Sequence, residues 1–293
     1  MITALAEERC ELGESPLWNP HDGSLYWTDI PRGQLYRYEM GRCRCEVIYK
    51  GESVGGLTLQ EDGSLLLFRV NDIALLPPGG EVQVLRHFRD PGSERFNDVI
   101  ADPEGRVFAG TIGRTSTSGG LFRIDPDGSI TLLFRGTGVA NGMGFSPDCR
   151  TFYWTCSTRR KIFAFDYDRT SGSLHNERVW YTARPDEGIP DGLAVDQKGD
   201  VWSARWDGSA VAHHASDGNL LEYVKLPARN VTSVCFGGPE LREMFITTAG
   251  GALGSQREEG AVFRYPAPAG GVPRFASAVT AREQVNHEPI EKD

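Results

Sequence analysis

The chain has 293 residues, of which 24% are charged and 39% apolar, the proportions of a soluble globular protein. A formal net charge of −9, with no run of Lys or Arg, argues against a nucleic-acid partner. No stretch of about eighteen apolar residues is present, which argues against a membrane-spanning helix and a membrane partner.

The first residues, "MITALAEERC", are too few and too charged to read as a secretory leader, so a cytoplasmic location is expected. Cys10, Cys43, Cys45, Cys149, Cys156 and Cys235 show no CxxC spacing and are expected to be reduced thiols.

From Glu14 a unit begins that returns along the chain. The first copy is "ESPLWNPHDGSLYWTD", an apolar strand, a tight turn and a second strand. "GQLYRYE" and "CEVIYK" follow as third and fourth strands. The second copy starts at Gly55 with "GGLTLQEDGSLLLFRV" and continues through "DIALLP" and "VQVLRHF". The third, "NDVIADPEGRVFAGTI" from Asn97, is followed by "GGLFRID" and "ITLLFRG". The fourth, "NGMGFSPDCRTFYWTC" from Asn141, echoes the Tyr-Trp-Thr of the first and runs on through "KIFAFDY" and "ERVWYT". The fifth, "DGLAVDQKGDVWSARW" from Asp191, is followed by "SAVAHHA" and "LEYVKL". The sixth, "TSVCFGGPELREMFIT" from Thr232, has a third strand "GAVFRYP" and no evident fourth.

Asp-Gly, Glu-Gly, Lys-Gly and Pro-Asp in the turns supply the backbone conformations that hairpins need. No segment has a convincing helical period. Four-stranded units repeating at roughly 40–50 residues read as β-propeller blades. The expected fold is therefore all-β, a six-bladed β-propeller with a metal site in its central channel, with residues 1–293 as one domain. Residues 2–9 are expected to supply the missing strand of the sixth blade and close the ring. The tail from about Val279 is expected to be disordered in part or to lie on the rim.

In a propeller the first strand of each blade lines the channel, so the six copy starts form one ring: Glu14, Gly55, Asn97, Asn141, Asp191 and Thr232. Four carry oxygen ligands, two of them carboxylates. An unpaired carboxylate in a confined site is costly, and a divalent cation is the simplest compensation. Nitrogen-free, oxygen-rich ligation favours hard ions such as calcium, magnesium or manganese. The competing reading is that Asn-Gly and Asp-Gly are only turn residues at strand entries.

"LGESPLW", "ERFNDVIADPEGRVFAGT", "ANGMGFSPD", "IPDGLAVDQKGDVWSA" and "LPARNVTSVCFGG" together resemble the regucalcin/gluconolactonase family of the senescence-marker-protein type, over nearly the whole chain. The resemblance implies a six-bladed propeller with one divalent metal in the channel and hydrolysis of sugar lactones. By motif it implies Glu14, Asn141 and Asp191 as metal ligands, with calcium the leading ion and zinc, manganese, magnesium or iron as alternatives. It implies that Asn97 approaches the metal or substrate, and that Arg95, taken to lie just outside the strand, holds substrate hydroxyls. For Arg95 the competing reading is a solvated loop arginine. Asp29 and Cys156, at the ends of the two Tyr-Trp-Thr strands, are expected near the metal end of the channel. Relatives commonly carry Asp where this chain has Cys156, which is expected to be a small packing residue.

Lactone opening needs a polarised carbonyl and an activated water, which a bound cation and a carboxylate base can provide. The expected activity is metal-dependent hydrolysis of an aldonolactone to the aldonic acid, with Asp191 as general base. The alternative is a non-catalytic calcium-binding regulatory protein using the same site, and an extracellular propeller of the YWTD type is a third reading. The expected partner is a small sugar lactone, and the assembly a monomer or small homo-oligomer. The histidines are scattered, and His213 and His214 fall on opposite faces of a strand, so surface or packing roles are expected rather than a zinc site. No G-x-S-x-G elbow is present for serine catalysis.

Overall fold

The inner strands are buried on both sides, so they read as runs of small and apolar residues rather than as alternating patterns. Val54–Leu59 and Ala140–Phe145 are buried at every position. Outer strands such as Arg44–Lys50 and Gln83–His87 are largely solvated. The structure, a computed structural model, describes residues 1–250 and 258–281. Among these residues it contains six four-stranded antiparallel sheets.

Blade one comprises Gly13–Asn19, Ser24–Asp29, Gln34–Glu39 and Arg44–Lys50, in that order from axis to rim. Blades two to five repeat this order, with inner strands Val54–Leu59, Ser93–Ala101, Ala140–Phe145 and Ile189–Val195. In blade six the order is Asn230–Gly237, Glu243–Ala249, Phe263–Pro266 and finally Thr3–Ala4. Thr3 pairs with Arg264 and Ala4 with Phe263, so the N-terminus closes the ring as the sequence predicts.

Each inner strand packs against those of the neighbouring blades, and the sixth packs against the first. The core divides accordingly into six clusters, one at each blade interface. The glycines that follow Asn141 and Asp191 serve this approach. A Cβ on Gly142 would lie 2.2 Å from the Leu193 nitrogen, and one on Gly192 would lie 2.1 Å from Ser233 Oγ. Neither takes a positive φ, so these are points of close strand contact and not turn residues.

The expectation for the C-terminal tail is corrected at its first residue. Val279 is buried in the interface of blades two and three, and its backbone exchanges hydrogen bonds with the Gln60 side chain. Together with the Gly271–Asp196 bridge and the Thr280 N–H donating to Pro126 O, this makes 271–280 a strap across the lower face. Residues 282–293 lie outside the described residues.

Candidate functional site

Every inner strand loses its pairing register near its start. The shift falls between Glu14 and Leu17, Phe96 and Val99, Ala140 and Met143, and Pro190 and Leu193. Bulges re-aim side chains that a regular ladder would hold in the pleat. Asn97, Asn141 and Asp191 each sit two residues before the ladder resumes. In blade one that position is Ser15, so the alignment of Glu14 with the other three is corrected by one residue. Ser15 is left-handed, with φ 49°, and its N–H donates to Glu14 Oε2 at 3.2 Å. That local twist brings Glu14 to the cavity despite its different register.

The five candidates Glu14, Arg95, Asn97, Asn141 and Asp191 all line one cavity of about 230 Å3. Its walls are apolar, made by Leu12, Ile112, Val139, Ile189 and Trp206. Arg95 lies within the strand Ser93–Ala101, paired with Ile112, and not outside it. It is half-buried, and its Nη1 donates to Phe96 O and Asn97 Oδ1, both at 2.8 Å. Asn97 Nδ2 donates to Ala140 O at 2.9 Å and to Asn141 Oδ1 at 3.1 Å. Asn141 Nδ2 donates to Ser157 Oγ at 3.0 Å, and Ser157 Oγ donates to Pro190 O at 2.7 Å. This chain of bonds ties blades three, four and five together at the site and fixes both amide orientations.

Asp191 is buried, and its Oδ1 has no hydrogen-bond partner. Burial, followed by the neighbouring carboxylates of Glu14 and Asp98, holds its pKa well above the usual carboxylate range. Burial, with Asp98 adding to it, pushes Glu14 up to about 8, while the Ser15 N–H and Arg95 pull the other way. Asp98 is itself raised by burial and drawn down by Arg274. Burial lowers the Arg95 guanidinium, and Glu14 opposes that shift. Two buried carboxylates, Glu14 and Asp191, therefore line the cavity with a third, Asp98, close enough to repel both, and Asp191 has an orphaned oxygen. This donor set fits a hard divalent cation, which would relieve both the mutual repulsion and the missing bond.

Asp98 and Ser157 escaped the sequence reading. Asp98 adjoins Asn97 in the same motif, and only the bulge lets both approach the axis. Ser157 follows the strand that was read as ending at Cys156. Cys156 is fully buried, with Sγ 3.2 Å from Thr137 Oγ1, and does not line the cavity, in line with a packing role. Asp29 is at the same rim, but its carboxylate accepts the Glu11 and Leu12 N–H groups. Trp27 and Trp202 are core residues, whereas Trp206 forms cavity wall.

Residues 12–250 match the SMP-30/Gluconolactonase/LRE-like region family. The chain is 40% identical to pentonolactonase XacC of Haloferax volcanii over 290 residues, covering 95% of this chain and 98% of that protein. It is 33% identical to regucalcin of Xenopus laevis, covering 85% of this chain and 86% of that one. Among solved structures a luciferin-regenerating enzyme superposes with a TM-score of 0.86 at 25% identity, covering 96% of this chain and 99% of that chain.

Proposed function

The chain belongs to the SMP-30/Gluconolactonase/LRE-like family, and from that premise we propose that it is a lactonase that hydrolyses a sugar lactone to the free acid. The observation that carries the reading is the convergence of Glu14, Arg95, Asn97, Asn141 and Asp191 on one cavity whose size suits a single small ring. The closed ring of six blades supports reading residues 1–293 as one domain built around that cavity.

Glu14, Asn141 and Asp191 are the residues that would hold a divalent cation. Bound there, the cation supplies Lewis-acid polarisation of the lactone carbonyl and eases deprotonation of water. Asp191 is the general base: its unpartnered Oδ1 is free to take a proton from a water held beside it. The water oxygen attacks the carbonyl carbon as Asp191 takes its proton. The ring C–O bond then breaks, and the proton passes to the leaving oxygen, giving a hydroxyl and a carboxylic acid. Arg95 carries more N–H donors than its two bonds to Phe96 and Asn97 use, so it can also hold substrate hydroxyls or the new carboxylate. The apolar walls keep bulk water from the reacting centre.

The test is hydrolysis of a panel of five- and six-carbon aldonolactones by metal-stripped protein reloaded with single divalent metals. Turnover with at least one metal is expected, and Asp191→Asn should lower kcat by on the order of a hundredfold or more. Undiminished turnover in that variant overturns the assignment of the base. Metal binding without turnover of any lactone favours the non-catalytic calcium-binding reading instead.

A further inference from the structure

A second cluster of ligating side chains lies in blade five, at the opposite end of the inner strand from Asp191. Asp196 follows that strand, Asp200 precedes the next strand Val201–Trp206, and His213 belongs to the third strand Ala210–His214. One donor atom from each residue comes within 4.8 Å of the other two. We propose that Asp196, Asp200 and His213 form a divalent-cation site of the zinc or cobalt class, separate from the channel, that braces blade five.

Three observations carry this. First, His213 is only 7% exposed, and its Nε2 is buried with no hydrogen-bond partner. Second, Nε2 lies 3.4 Å from Asp200 Oδ2, outside hydrogen-bonding geometry. That spacing is close to the ~3.4 Å separating two ligand atoms that each sit about 2.1 Å from a tetrahedral ion. Third, the ligands are held from behind. The Nδ1 of His213 faces Glu222 Oε1 on the outer strand at 3.4 Å, the carboxylate–histidine arrangement that leaves Nε2 free to ligate. Trp202 stacks on the imidazole at 3.6 Å between ring centroids, and its Nε1 donates to Asp196 Oδ2. Asp196 Oδ1 accepts the Lys198 and Asp200 N–H groups, and Asp200 Oδ1 accepts the Ser216 N–H. A cation there would offset the repulsion between the two aspartates and give Nε2 its missing partner. One imidazole with two carboxylates suits zinc or cobalt better than calcium. The paired residues His213 and His214 do fall on opposite faces, yet one histidine suffices because both aspartates come from the adjoining turn.

The experiment counts metal on the full chain, stripped and then dialysed against zinc or cobalt(II). An equivalent is expected that His213→Gln and Asp200→Asn each lose and that Asp191→Asn keeps, together with tetrahedral cobalt(II) absorption bands that disappear in the same two variants. Glu222→Gln should retain the equivalent with ~10–100-fold weaker affinity. Lactone turnover with the channel supplied with metal should be unchanged in His213→Gln and Asp200→Asn. If His213→Gln fails to fold, Asp200→Asn alone decides, because Asp200 is partly exposed. Equal zinc content and equal cobalt spectra in the wild type and in both variants would overturn the proposal.

Discussion

Ser157 is the smallest side chain at the channel site and joins two blades. Its Oγ accepts Asn141 Nδ2 and donates to Pro190 O, the carbonyl one residue ahead of Asp191. Ser157→Ala frees the Asn141 amide to rotate and leaves a carbonyl without its donor. The expected result is roughly tenfold weaker cation binding in the channel, at a cost of about 1 kcal/mol in stability. Calorimetric titration with the supporting metal, beside a denaturant midpoint, checks both. At this scale the sequence was informative where a residue type itself announces chemistry. Asp191 and Asn141 open their strands as a carboxylate and an amide, and the structure brings both to the cavity. A serine one residue past a strand end carries no such signal, because its role depends on which carbonyl of the next blade lies beside it.

At the scale of the strand, the bulge decides what the site can present. Two residues drop out of the ladder in the inner strands of blades one, three, four and five, and one in blades two and six. In blades four and five the neighbouring strand approaches so closely that only glycine fits at the second of the two. The atom facing a Cβ at position 142 is backbone nitrogen, which cannot rotate away. Gly142→Ala must therefore push apart the inner strands that carry Asn141 and Asp191. We expect a loss of about 1–3 kcal/mol and a fall in kcat larger than any change in KM, read by thermal melts and by steady-state kinetics. The hairpins were legible because Asp-Gly and its equivalents fix turn chemistry locally. The register of Glu14 was not, because the left-handed backbone at Ser15 is a response to its surroundings that no local pattern of serine reveals.

For the whole molecule, blade interfaces hold the buried charge and so set the response to pH. His214 is fully buried between blades four and five. Its Nδ1 donates to Gly218 O at 3.2 Å, so Nε2 carries the lone pair that accepts from Arg205 Nη2 at 2.8 Å. The rings of Tyr181 and Trp180 pack against it, with centroids 4.2 and 5.7 Å away, and Glu187 and His213 are the other charged or titratable groups near it. Burial, then Arg205, lowers its pKa to about 4. The folded value lies below the unfolded one, so the unfolded chain binds the extra proton. The contribution of His214 is thus fully present above about pH 6.5 and is lost as pH falls toward 4, on the order of 3 kcal/mol in all. Melting temperatures of wild type and His214→Gln between pH 7 and 4.5 test this: the wild type should lose stability more steeply on acidification. Parallel curves would remove His214 as the source.

The sequence by itself determined the number of blades, the strand order, the closure of the ring by the N-terminus and four of the residues that meet at the axis, Glu14, Asn97, Asn141 and Asp191. Those follow from local turn chemistry and from a repeat whose equivalent positions must share one place in a radial fold. Only the tertiary structure decided which side chains support the site, where Glu14 sits in its ladder, that the C-terminal strap covers the lower face, and that His213 meets two aspartates. Each of these depends on contacts between segments far apart in the chain, where close packing selects partners by distance and not by pattern.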